Sequence, residues 1–123
     1  MAQPLSSEAV LSVSGIPCRD EEDLVRLQRL TVAYVRSPLP DLTQRQAAIM
    51  LTVYVYQDPL TVRVLARELG VGKPVITRGV SALQALGYMT RIRDPDDGRS
   101  VLVGKTKMGM KWINEYIRLN DAI

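Results

Sequence analysis

Histidine is absent from this 123-residue chain, and cysteine occurs once, as Cys18. The first absence removes the commonest general base and the commonest metal ligand together. The second removes internal disulfides and, with histidine missing, any zinc set of the usual type. Phenylalanine is missing too, and aromatic residues make up only 5% of the chain. That is too few for the stacking platforms of single-stranded nucleic-acid binders. No apolar run reaches the ~18 residues of a membrane helix, so no membrane partner is expected. An enzyme without histidine needs a Lys, Asp/Glu or Ser/Thr constellation. Here Lys73, Lys105, Lys107 and Lys111 have no carboxylate partner at catalytic spacing. No catalysis, cofactor or metal is expected.

What remains is the mix of an ordinary soluble domain, 46% hydrophobic and 24% charged. The length suits one domain that folds without disulfide or metal, and a cytoplasmic location is expected. The net charge of +3 is unevenly spread, with 5 basic and 7 acidic residues over 1–60 against 11 basic and 6 acidic over 61–123. Between Thr61 and Arg93 six basic residues face a single acid, Glu68. Such a half is either a solvated surface or a footprint for a polyanion.

Residues 1–20 mix Pro, Ser and Gly with scattered aliphatics and show no sustained period, which predicts a disordered arm. Its first basic residue is Arg19, so it has no secretory n-region. Cys18, followed by Arg19 and four acids, reads as an incidental thiol. A helix is predicted over 21–36, with Leu24, Leu27, Leu30, Thr31 and Tyr34 at helical spacing and Ser37-Pro38-Leu39-Pro40 as its stop. Thr43 and Gln46 form a capping box for a second helix carrying Ala47, Met50, Leu51 and Tyr54. Thr52-Val53-Tyr54-Val55-Tyr56 has strand propensity, but the cap and Asp58-Pro59 favour helix.

Thr61 caps a short third helix, whose Val62, Leu65, Ala66 and Leu69 repeat at i, i+3, i+4, i+7 before Gly70. A fourth helix, 73–87, opens with Pro74 and places Ile76, Val80, Leu83 and Leu86 on its inner face. Two short helices across a tight glycine turn make a helix-turn-helix. Tyr88–Arg93 alternates, Asp94–Gly98 is turn chemistry, and Arg99–Val103 is a second strand, so a hairpin wing occupies 88–104. A last helix over 106–121 carries Met108, Trp112, Ile113, Tyr116 and Ile117 as one apolar stripe. The expected fold class is mainly α with a small β-hairpin, a winged helix-turn-helix spanning 21–123.

Several stretches, in order and at this spacing, resemble the MarR family of winged helix-turn-helix transcriptional regulators. They are Leu42-Thr43, Leu60-Thr61-Val62, Leu65-Ala66, Leu69-Gly70-Val71, Thr77-Arg78, Leu83, Gly87, Arg91, Asp97-Gly98-Arg99-Ser100, Thr106 and Gly109. The chain departs from the pattern at Gly72-Lys73-Pro74, where the family prefers a small capping residue, and at Lys105, where it prefers leucine.

The resemblance implies a sequence-specific duplex-DNA binder, commonly a repressor, with the fourth helix in the major groove and the wing in the minor groove. Lys73, Pro74, Val75, Thr77, Arg78, Ser81 and Gln84 then face the bases, Arg78 as the candidate for guanine and Val75 either against a thymine methyl or packed. Arg99 is expected in the minor groove, with Asp97 orienting it as in the family wing. Arg63, Arg67, Arg91 and Arg93 are expected at phosphates. A homodimer on a palindromic operator follows, built from the stripes of the first and last helices: Leu24, Leu27, Tyr34, Trp112, Ile113, Tyr116 and Ile117. Those stripes could instead pack within one subunit. The family also suggests a small aromatic or phenolic effector near the dimer interface. The competing reading is a winged-helix protein-interaction module without specific DNA binding.

Overall fold

The computed structural model describes residues 19–123; the arm expected over 1–20 lies almost wholly outside them, as does Cys18. The elements in order are α1 (Glu21–Arg36), α2 (Gln44–Val55), β1 (Leu60–Thr61), α3 (Val62–Leu69), α4 (Lys73–Ala85), β2 (Met89–Arg93), β3 (Val101–Lys105) and α5 (Lys107–Asp121). Contacts divide the described chain into two units, one spanning Leu39–Arg118 and the other formed by the residues up to Pro38 with Leu119–Ile123.

In the larger unit, local chemistry fixes each boundary. The Thr43 hydroxyl accepts from the Gln46 backbone N–H at 3.1 Å while the Gln46 side chain accepts from the Thr43 N–H at 2.9 Å, closing the capping box. Helix α2 then runs through the strand-prone Thr52–Val55, and the Thr52 hydroxyl bonds back to the Ala48 carbonyl at 2.7 Å. The Thr61 hydroxyl caps α3 through the Val64 N–H. Gly70 ends that helix at φ 67°, a left-handed conformation that a side chain would strain.

The core is formed by Ile49, Met50 and Val53 of α2, Leu65 and Ala66 of α3, and Ile76, Val80 and Leu83 of α4, with Met89, Val103 and Trp112. Leu51 and Leu86, expected inside, are exposed. Helix α4 stops at Ala85 rather than 87, so Leu86 becomes its C-cap and leaves the inner face. Leu51 yields its place to Ile49 and Val53, which flank it by two residues.

The hairpin is flanked by a third strand that the periodicity does not announce. β1 pairs antiparallel with β3 (Leu60 opposite Val103), and β3 pairs with β2 (Arg91 opposite Val103, Arg93 opposite Val101), giving the order β1-β3-β2. Helix α4 packs on α2, on α3 and on β2, so the helix-turn-helix and the wing share one core.

Where α5 begins, the Thr106 hydroxyl accepts from the Gly109 N–H at 3.0 Å and donates to the Gly87 carbonyl at 2.6 Å. The Tyr54 hydroxyl sits alongside, donating to the Tyr88 carbonyl at 2.7 Å and accepting from the Thr106 N–H at 3.1 Å. The end of α2, the turn between α4 and β2 and the start of α5 are thereby tied at one point.

In the smaller unit, the Asp20 carboxylate caps α1 through the Glu22 and Asp23 amides, with Glu21, Glu22 and Asp23 at its positive end. No residue of α1 is buried. No helix among the described residues is long and apolar enough to cross a membrane.

Candidate nucleic-acid interface

A groove of about 530 Å³ opens between the start of α3, the first turns of α4 and the wing. Arg63, Lys73, Thr77, Asp97 and Arg99 line it, together with Thr61, Val62, Ser100 and Val101. Five of the residues expected to meet DNA thus converge from three elements. Arg63, Lys73, Thr77 and Arg99 are solvent-exposed, so their donors are available to an anionic partner. Arg67, Arg78 and Arg93 lie exposed outside the groove, Pro74 is exposed beside it, and Val75 is half-buried. The Arg78 guanidinium has no hydrogen-bond partner among the described residues, and Arg78 follows Thr77 on the outer side of α4.

The acids at the wing tip would repel phosphate if their carboxylates pointed outward. Two of them, Asp94 and Asp97, are instead turned into the loop. Asp97 accepts from the Arg99 N–H at 3.1 Å and from the Ser100 hydroxyl at 3.0 Å, and Asp94 accepts from the Asp96 N–H at 2.9 Å. The loop closes with Asp94 N–H to Ser100 O at 3.0 Å and Ser100 N–H to Asp97 O at 2.9 Å. Asp97 therefore fixes Arg99 through its backbone, leaving the guanidinium without a partner among the described residues. Ser100, part of the wing motif but not of the expected DNA-contacting set, belongs to this turn; its signal is the Asp97-x-x-Ser100 spacing of a side-chain-closed turn.

Arg91, expected at a phosphate, is engaged within the chain. Its Nη1 donates to Gln84 Oε1 at 2.7 Å, and its Nη2 donates to Ser81 Oγ at 2.8 Å and to the Thr77 carbonyl at 3.0 Å. Arg91 lies on β2 and reaches three positions along the outer stripe of α4. The same bonds hold Ser81 and Gln84, both expected to read bases.

The residues expected at a dimer interface separate into two groups. Trp112 is 1% exposed, against Tyr88 (ring centroids 6.3 Å apart) and Tyr116 (5.1 Å, edge-on). It is a core residue of the larger unit, which is why it is not available at the surface. Leu24, Leu27 and Ile117 are exposed, Leu27 at 65%, while Tyr34, Ile113 and Tyr116 are half-buried.

Residues 41–100 match the MarR family. These residues form a winged-helix domain of the MarR family of transcriptional regulators. No curated protein matches this sequence closely enough to count as a relative. Among solved structures, the transcriptional regulator Tm0710 from Thermotoga maritima is 26% identical, with 83% of this MarR-family chain and 69% of that one covered and a TM-score of 0.69. A MepR variant from S. aureus bound to an oligodeoxyribonucleotide is 18% identical over 97% of this chain and 79% of its own, with a TM-score of 0.74. CouR from Rhodococcus jostii RHA1, bound to p-coumaroyl-CoA, is 22% identical over 94% of this chain and 73% of its own, with a TM-score of 0.62. These last two resemble the MarR-family chain in fold.

Proposed function

We propose that this MarR-family regulator binds a specific palindromic duplex as a homodimer and represses transcription there. Helix α4 enters the major groove, with Lys73, Thr77 and Arg78 toward the bases, and Arg99 on the wing tip enters the adjacent minor groove. Arg63, Arg67 and Arg93 meet phosphates on either side. The observation that carries the reading is the groove in which Arg63, Lys73, Thr77 and Arg99 converge beside an exposed Arg78. The exposed apolar side chains of α1 supply the dimer surface. Two recognition helices then read half-sites about one helical turn apart. The DNA-bound MepR structure supports the docking, and the ligand-bound CouR structure supports a small-molecule effector acting on the dimer.

The test is fluorescence anisotropy against the DNA upstream of its own gene, beside an unrelated duplex, at low and physiological salt. Tighter binding to the upstream DNA that survives physiological salt is expected. Equal binding to both, lost with salt, would show counterion release without readout and favour a protein-interaction module.

A further inference from the structure

The Arg91 fork determines what the middle of α4 can read. A guanidinium carries only N–H donors, so the Gln84 atom facing Arg91 Nη1 at 2.7 Å is the carbonyl oxygen and the Ser81 oxygen at 2.8 Å acts as an acceptor. Both side chains have spent an acceptor on the protein. Each oxygen keeps one lone pair, while the Gln84 NH2 group and the Ser81 O–H remain wholly free to donate outward. Free glutamine reads adenine by donating to N7 and accepting from N6, which needs both ends of the amide. With its oxygen drawn to Arg91, Gln84 keeps one lone pair, but its amide is oriented toward β2, which weakens the pairing with adenine. Guanine, presenting O6 and N7 as two acceptors, matches a surface that presents donors.

We infer that Arg91 is a specificity-determining positioning residue: by holding the carbonyl of Gln84 and the oxygen of Ser81, it makes the middle of α4 present its donors and so favours G·C over A·T at the base pair beneath Gln84. This rests on the duplex-DNA reading above. Arg91 itself touches no base; it acts through Gln84 and Ser81. Its carbonyl contact to Thr77 at 3.0 Å fixes the fork to the helix backbone, so the arrangement precedes DNA binding.

The experiment is selection from a pool of random-sequence duplexes, followed by sequencing of the bound fraction. The proteins are the full chain and its Arg91→Met, Arg91→Lys and Arg91→Met/Gln84→Met variants. The wild type should enrich a two-fold symmetric site with G·C at one symmetric pair of positions. Arg91→Met frees the Gln84 carbonyl and should move that position toward A·T by roughly 5- to 150-fold, the range a bidentate base contact commands. Arg91→Lys keeps the charge but not the fork, and should shift the profile the same way; it carries the test if Arg91→Met fails to fold. Adding Gln84→Met should abolish the shift, since no amide remains to pair with adenine.

Two outcomes overturn the inference. If Arg91→Met weakens every sequence alike, lowers the salt slope by about one and leaves the base profile unchanged, while Arg91→Lys behaves as wild type, Arg91 is a phosphate contact. That result leaves the DNA reading standing. If the wild type enriches no site, the DNA reading fails and takes this inference with it.

Discussion

Replacing Gly109 by alanine sets two forces against each other. Gly109 lies in the first turn of α5, and in a helix alanine is favoured over glycine by up to about 1 kcal/mol. Propensity alone therefore predicts a more stable protein. Packing predicts the reverse. A Cβ at this position falls on the Tyr54 hydroxyl and on the Tyr88 carbonyl, and the second is backbone that cannot swing aside. To admit the methyl, Tyr54 must leave, breaking its 2.7 Å bond to Tyr88 O and its 3.1 Å bond from Thr106 N–H. Two partly buried hydrogen bonds contribute ~0.5–1.5 kcal/mol each. Overpacking adds a cost of ~1–3 kcal/mol. After the propensity gain, Gly109→Ala should lower stability by about 1–5 kcal/mol, or on the order of 10 °C in Tm. Urea unfolding followed by circular dichroism measures the first quantity and a thermal melt the second. Tyr54→Phe removes the nearer obstacle and already lacks both bonds, so the double variant should lose less than the sum of the singles. Equal or higher stability of Gly109→Ala would refute the close approach of α2 to the start of α5.

Arg78→Ala should weaken binding to the selected operator by ~1–3 kcal/mol and relax preference at one base position; an equal loss on all duplexes would make Arg78 a phosphate contact. Leu27→Glu places a charge on the exposed apolar surface of α1 and should give a monomer by light scattering, with an unchanged circular dichroism spectrum showing that the chain stays folded. A Leu27→Glu dimer would exclude α1 as the interface. The Tyr56 hydroxyl donates to Glu68 at 3.0 Å, and this bond to a carboxylate raises the phenol above its ordinary 10.0. A raised pKa in the folded state means that the stabilisation is present below pH 10.0 and lost as pH rises through the folded value. Tyr56→Phe should flatten that alkaline loss in urea midpoints, and an unchanged alkaline limb would disconnect it from this pair.

The helices were legible because their signals are local. The Thr43–Gln46 box, the Thr61 cap and Gly70 each act within about one turn, and all three are realised. Even the strand-prone Thr52–Tyr56 yields to this logic, since a capped helix can absorb β-branched residues when Val53 buries and Thr52 bonds back along the helix. Strand β1 was not legible. It has two residues, and its pairing is decided by Val103 and Leu102, far along the chain. Trp112 shows a different limit. An apolar stripe on α5 declares that something covers it, but not whether the cover is the chain's own core or a second subunit; Tyr88 settles that for Trp112.

The interface divides along the same line. Which residues face outward on α4 follows from periodicity, and the structure brings three of the expected cations, Arg63, Lys73 and Arg99, into one groove beside that helix. What those residues can say to a base does not follow from their identity. Glutamine is donor and acceptor in isolation, serine likewise, and either could read adenine as written in the sequence. Their remaining chemistry depends on Arg91, which lies 7 residues from Gln84 and 14 from Thr77, across the turn into the wing. A recognition code read from the helix alone therefore overstates how freely these positions can accept. The wing is part of the code before it touches DNA, because the strand that leads into it decides which hydrogen-bonding atoms α4 has left to offer.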